Sequence, residues 1–509
     1  MTFIQNVELI NGKINSAVWG LPGLILLIGT GILLTICSKV FQVTRLGHWW
    51  KETIGTLFHK DSASVHKTDK KAISQFQALC TALAATVGTG NIAGVAAAIV
   101  TGGPGAVFWM WVAAFFGMMT NFSENVLGIY YRRRNKDGEW SGGAMYYLKD
   151  GLGKKKGFGG IASVLAVLFA CFAILASFGI GNMGQVNKIT LNIQSAFFAN
   201  SALATATVGG LPVLGLIIGG ALLIVGALII IGGLQRIASV AERVVPFMAI
   251  VYIIGALVIM IINIDNVGAM FVAIFKFAFT TRAAVGGVVG TVILAMTQGF
   301  KRGVFSNEAG LGSSVMVHSS SDVKEPVRQG MWGIFEVFFD TMIVCTMTAI
   351  VVLSSGYIDL ASGLAVEGVN DATLVSTIFG ENFGVAGEWF VAVAMLLFAF
   401  TTVLGWSQYG SKAVEYLFGT KGVKVYKVIF VVMIMSGAIM KSSLAWDLSD
   451  TFNGLMMIPN LIGVVALTPL VMKIIKNYVD RRIKNKDVAP MLSYDPETEK
   501  EMAAKLNEN

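Results

Sequence analysis

The sequence predicts an all-α membrane protein, a bundle of about eleven spanning helices without a separate soluble domain. Three observations carry that prediction. Of 509 residues, 55% are hydrophobic and 13% charged, whereas soluble domains carry about 25% charged residues; the mean hydropathy is +0.70. The apolar residues fall in continuous blocks, such as GLPGLILLIGTGILLTIC and VLGLIIGGALLIVGALIIIGG, and about 20 residues of this kind cross a bilayer as a helix. Backbone groups in lipid must be paired within the spanning structure. The blocks lack the polar–apolar alternation of barrel strands, so they are helices.

Taken in order, the spans are expected near residues 21–40, 72–100, 106–131, 160–190, 211–233, 240–262, 284–300, 332–353, 389–416, 425–440 and 452–474. A basic amphipathic stretch, RLGHWWKETIGTLFHK, follows the first of these and suits the membrane interface. Loop charges then set the orientation. Segments 45–71, 132–156, 236–243, 301–328, 412–427 and 473–486 hold most of the Lys and Arg, while the intervening loops are neutral or acidic. This alternation accounts for the formal charge of +8 without a nucleic-acid partner. It predicts the N-terminus outside and the C-terminus inside. The tail after Lys486 is charged and reads as disordered. No cleavable signal is visible, which fits a prokaryotic cytoplasmic membrane with the first span as the membrane address. Cys37, Cys80, Cys171 and Cys345 fall within spans and have no metal-ligand spacing. His48, His59, His66 and His318 fall in the predicted cytoplasmic segments and suggest no metal site.

Two spans look broken. ATVGTGNIAGVAAAIV places a Gly-Thr-Gly-Asn cluster mid-span, where each glycine costs about 1 kcal/mol against alanine in a helix. MTQGFKRGVFSNEAGLGSS repeats the pattern in the seventh span, whose apolar half ends near Phe300. Gly90 and Gly94 also fit a small-xxx-small packing motif. Two clusters five spans apart, however, match the paired broken helices of inverted-repeat transporters. There, freed N–H groups hold an anionic substrate group and freed carbonyls hold the coupling ion. Setting the first span aside, two repeats of five, each opening with a broken helix, give the leucine-transporter (LeuT) pattern. The corresponding layout is an N-terminal helix and interfacial segment over 1–71, repeats over 72–263 and 264–486, and a cytoplasmic tail over 487–509.

Polar residues inside spans are costly and mark candidate sites. Thr86, Thr89 and Asn91 lie at the first break; Asn182, Gln185 and Asn187 cluster in the third core span. Gln298, Ser306 and Asn307 lie at or past the second break, and Thr401, Thr402, Trp406 and Ser407 sit together in the eighth core span. Uncharged oxygens suit a weakly held monovalent cation, since a divalent site would want several carboxylates. A lone Thr or Ser could equally back-bond to the carbonyl four residues earlier. Glu336 and Asp340 are expected near the inner interface, as partners for Lys301, Arg302 or Arg236 or in a helix-end role, with a proton relay as the lesser reading; Glu124 and Glu308 are read the same way.

Five blocks resemble those of the alanine-or-glycine:cation symporter family. They are TALAATVGTGNIAGVA, GGPGAVFWMWVAAFFGMMTNFSENVLGIYYR, KRGVFSNEAGLGS, TTVLGWSQYG and NGLMMIPNLIG, in that order across nearly the whole membrane part. The resemblance implies a LeuT-like core with one extra N-terminal helix, and uptake of alanine or glycine with sodium. It implies that VGTGN is the unwound segment, with the substrate carboxylate at the N–H groups of Thr89 and Gly90. It places sodium on the carbonyls of Ala84 and Val87 and the hydroxyls of Thr401 and Thr402. Gln298, Gly299 and Phe300 would line the pocket from the second broken helix, and the Trp406 ring would exclude bulky side chains. Proton coupling on the same fold is the alternative; a channel, a receptor or an enzyme fits the residues less well.

Overall fold

The outward faces of the helices are apolar, and polar residues are gathered inside with the apolar core, unlike the surface of a water-soluble protein. Ile25, Ile217, Phe247 and Val428 are more than half exposed, whereas Glu124, Asp340, Thr348 and Ser407 are fully buried. Lipid requires such a surface, and water would penalise it. The structure is a computed structural model that describes residues 3–58, 64–280, 288–369, 371–440 and 443–507. His59 and the predicted start of the seventh span at 284–287 lie outside the described residues.

Helices α1 (Phe3–Val18) and α2 (Leu21–Cys37) make the first crossing, and the short α3 (Leu46–Glu52) follows. The first repeat opens with α4 (Gln75–Thr86). A reciprocal cap starts it: Ser74 Oγ accepts from the Gln77 N–H at 3.0 Å, and Gln77 Oε1 accepts from the Ser74 N–H at 3.1 Å. After a break the chain continues into α5 (Val95–Gly102), the two halves bent by 55°. Next come α6 (Gly105–Tyr130), then α7 (Gly159–Phe178) and α8 (Gly184–Phe198), which form one long span through a wider turn at Gly179–Met183. The helices α9 (Val213–Ile230) and α10 (Gly233–Ile262) complete this repeat.

Next comes α11 (Ile264–Phe279), a helix the hydropathy pattern does not predict as a separate element. Then follow α12 (Val288–Asn307), the short α13 (Val315–His318), and α14 (Pro326–Val337), which runs through a wide-turn stretch at Phe338–Cys345 into α15 (Thr346–Ser354). After α16 (Leu374–Phe383) come α17 (Val385–Ile439), α18 (Ser443–Arg482) and α19 (Pro496–Asn507). Among the described residues eight helices are long and apolar enough to span, and the bent α4–α5 pair makes a ninth. Gly419, at φ 70 and ψ −176, divides α17 into two crossings. With α12, which carries Lys301 and Arg302 and is outside that set, each of the eleven expected spans lies on a helix. The central scaffold packs α6 against α2, α12 and α14, and α17 against α7, α8 and α9.

The basic segments meet at one end of the bundle. Arg134 pairs with Asp69 at 2.7 Å, Arg328 with Glu52 at 2.8 Å and Arg481 with Glu325 at 2.6 Å, while Lys412 donates to the Trp140 carbonyl at 2.7 Å. At Asp69 burial works to raise the carboxyl pKa, and the Lys71 N–H with the Arg134 guanidinium more than offsets it, leaving the group below its ordinary value. Two expectations fail here. The tail is not disordered, since α19 docks Met502 with Leu492 against Ala72 and Trp140. And Lys301 and Arg302 do not belong to the basic loops, because α12 runs through them to Asn307. Lys301 instead pairs with Asp450 at 2.9 Å, an aspartate that also accepts from Asn15 at 3.0 Å.

Candidate functional site: the joint between two broken helices

At the first break α4 stops at Thr86, and Val87 leaves helical geometry at φ −78, ψ 87. The Gly88 N–H, which in a continuous helix would bond the Ala84 carbonyl, donates to Asn91 Oδ1 at 2.9 Å. The Asn91 N–H, the helical partner of the Val87 carbonyl, donates to the Gly88 carbonyl at 3.3 Å. Both carbonyls assigned to the ion are thereby released from their helical donors. Thr402 stands against this opening: a Cβ on Gly88 would lie 2.4 Å from its Oγ1. Close packing of α17 on α4 is made possible by Gly405, whose Cβ would meet the Ala85 backbone at 2.8 Å. Thr401 and Thr402 do back-bond within their helix, at 2.8 Å to Leu397 and 2.9 Å to Phe398. Those bonds use the hydroxyl protons and leave oxygen lone pairs over.

The second break lies seven residues beyond Phe300. Helix α12 continues to Asn307, and the chain then turns through Glu308 (φ 56), Gly310 (φ 93) and Gly312 (φ 73) before α13. Gln298, Gly299 and Phe300 are therefore not in the pocket. Gly299 is small because its Cβ would meet the Ala106 carbonyl at 2.4 Å, Gln298 packs on Gly102, and the Phe300 ring lies 5.4 Å from that of Trp109. They are packing positions against α6 and its approach, and glycine there serves close contact rather than unwinding. Phe305, Ser306 and Glu308 occupy the place expected of them. The double glycine two residues after Asn-Glu, in SNEAGLGSS, is the sequence signal that marks this turn.

A single carboxylate joins the two breaks. Asp340, fully buried in the wide-turn stretch after α14, accepts from Asn91 Nδ2 at 2.7 Å, from Ser306 Oγ at 2.7 Å and from Thr341 Oγ1 at 2.8 Å. Thr348 donates to the Asn91 carbonyl at 2.7 Å, and Asn307 donates to Thr341 at 2.9 Å. The expectation of an Asp340 near the inner interface, paired with Lys or Arg, is thus overturned. Wide turns insert an extra residue into a helix and frequently mark functional positions. Glu336 is also not paired with a lysine or arginine. Its partners are His318 at 2.9 Å and Asn121 at 3.3 Å, and His318 is buried rather than in an open loop.

Between the breaks lies a narrow, tightly walled cavity with Thr86, Gly90, Gln185, Phe305, Glu308 and Trp406 in its wall. Trp406 packs on Gly181, where a Cβ would come within 2.4 Å of it. The Gln185 side chain spans from the Ile180 carbonyl (3.1 Å) to the Thr89 N–H, whose contact is long at 3.4 Å. Thr89, Gly90 and Phe305 also border a second hollow, which reaches toward Lys188, Arg302 and Asp371. Glu308, Phe305, Ile180 and Asn453 are among the lining residues that sequence reasoning did not place in the site.

Residues 4–491 match the sequence model of the Sodium:alanine symporter family. The sodium/alanine symporter AgcS of Methanococcus maripaludis is 42% identical over 476 residues, covering 94% of this chain and 98% of the relative. Among solved structures, MhsT in complex with L-phenylalanine aligns with a TM-score of 0.52 at 14% identity, over 80% of this chain and 99% of that one. A Na+-coupled sialic acid symporter aligns with a TM-score of 0.51 at 12% identity, over 94% of this chain and 93% of that one. At such identities the likeness is one of fold, the LeuT-like five-plus-five helical core.

Proposed function

The chain belongs to the sodium:alanine symporter family, and on that premise we propose that it imports alanine or glycine with sodium by alternating access, as a multi-pass membrane protein. The observation that carries the reading is the joint itself: two interrupted helices five spans apart, tied through Asp340, with free backbone groups beside a narrow cavity walled by Phe305 and Trp406. In this reading sodium takes the carbonyls of Ala84 and Val87 and the hydroxyls of Thr401 and Thr402. The substrate carboxylate meets the N–H groups of Thr89 and Gly90, where the dipole of the following half-helix favours an anion. Thr86 and Gln185 border the substrate, Asn91 holds the break open, and Trp406 limits side-chain size.

The N-terminus lies outside and the C-terminus inside, as the clustering of the basic segments supports. One positive charge moving inward through 100 mV then contributes ~2.3 kcal/mol to accumulation. Proton coupling on the same fold is the second reading, and a specific observation favours it: buried carboxylates, Asp340 and Glu308, stand at the joint. Uptake of labelled alanine and glycine into proteoliposomes under an inward gradient of sodium, potassium or protons separates the readings. Accumulation under sodium alone is expected; accumulation under protons alone would overturn the ion assignment.

A further inference from the structure

We infer that Glu308 receives the α-ammonium group of the transported amino acid, and so makes a free amine a condition of transport. The inference rests on the proposed function and assigns the end of the substrate which that reading leaves without a partner. An α-amino acid is a zwitterion, and a buried site must offer a counter-charge or saturated hydrogen bonds to each end. The N–H of Thr89, with only a 3.4 Å contact to Gln185, is available to the carboxylate end. For the ammonium end the cavity wall offers one ionisable side chain among its described lining residues, that of Glu308.

Two features of the fold aim that carboxylate. Glu308 is a non-glycine residue at φ 56, a conformation uncommon for such residues and characteristic of functional turns. It directs the side chain off the end of α12 into the gap between the broken helices. Ser313 donates to one of its oxygens, and Trp406 lies beside it, so the group is positioned and keeps lone pairs over. Two other acceptors stand nearby: Asp340, whose oxygens already take hydrogen bonds from Asn91, Ser306 and Thr341, and Asn453 in the same wall, whose amide oxygen is neutral and supplies no counter-charge. The same carboxylate ties substrate occupancy to the turn at 308–314, because an ammonium held by Glu308 is held by the backbone that must move when the cavity changes face.

The test is competition by (S)-lactate, which replaces the amine of alanine with a hydroxyl, against labelled alanine on purified full-length protein in sodium. Wild type is expected to prefer alanine by about 100-fold or more. In Glu308→Gln, alanine affinity should fall about 30-fold or more, as for removal of one partner of a buried charge pair. Lactate affinity should hardly change, so the preference collapses. Glu308→Asp, which keeps the charge one methylene further back, should fall between the two. Sodium-dependent thermal stabilisation, retained in both variants, reports that they are folded. An alanine-to-lactate preference unchanged from wild type in either folded variant overturns the assignment while leaving the symporter reading intact. Failure of the wild type to bind either alanine or glycine overturns that reading, and this inference with it.

Discussion

The two breaks do the same task by different physics. At the first, the backbone turns without a left-handed residue, and a side chain keeps the helix open: the Asn91 amide intercepts the Gly88 N–H. Glycine is needed there for space, since Gly88 faces Thr402. At the second, the turn is written into the backbone itself, with Glu308, Gly310 and Gly312 all at positive φ. Glycine is needed there for conformation. Asp340 couples the two, taking hydrogen bonds from Asn91 at one break and Ser306 at the other.

Asp340→Ala should break this comparison most severely. It strands the Asn91 amide and two hydroxyls in the interior, at about 1–3 kcal/mol for each buried donor left unpaired, and should abolish uptake and lower the melting temperature together. Gly88→Ala should sharpen it. The added methyl pushes on Thr402 Oγ1, at about 1–3 kcal/mol for local overpacking, and should raise the sodium concentration for half-maximal uptake by roughly tenfold while the protein stays folded. Gly312→Ala carries a comparable penalty, about 1–3 kcal/mol for a left-handed alanine, with its Cβ 2.7 Å from Asn460. Here the loss should appear in thermal stability and transport rate, with the sodium dependence unchanged. Phe300→Ala should have the smallest functional effect: stability falls by no more than about 3–5 kcal/mol for an emptied aromatic position, and the relative uptake of alanine and glycine stays as in wild type.

Most of the fold could be read from hydropathy because lipid forces each span to be a long apolar helix. The first break was legible for a local reason, Gly-Thr-Gly-Asn inside an otherwise apolar run. The second was legible only as the stretch from Met296 to Ser314, and Gln298, Gly299 and Phe300 were drawn into the pocket because Gly299 interrupts an apolar run in the same way, yet its job is contact with Ala106. Sequence pattern cannot distinguish a glycine needed for proximity from one needed for positive φ when both lie in one helix. Asp340 and Glu336 were misread for a related reason. Their position in the chain pointed to a helix end near charged loops, but the wide turn at Phe338–Cys345 and the buried His318 give them partners on other helices. Such pairings are tertiary and leave no spacing to find. The docked tail shows the same limit, since its few apolar side chains have value only against Ala72 and Trp140.

The central claim is that ion and amino acid bind at one joint, so each must alter the affinity for the other by the same factor. Alanine binding to the purified protein, titrated at rising sodium and, separately, at rising potassium of equal ionic strength, tests this most directly. The account predicts that the alanine dissociation constant falls as sodium rises and is indifferent to potassium, with the response lost when Thr401 and Thr402 are both replaced by alanine. An alanine affinity that is the same in both salts would contradict it.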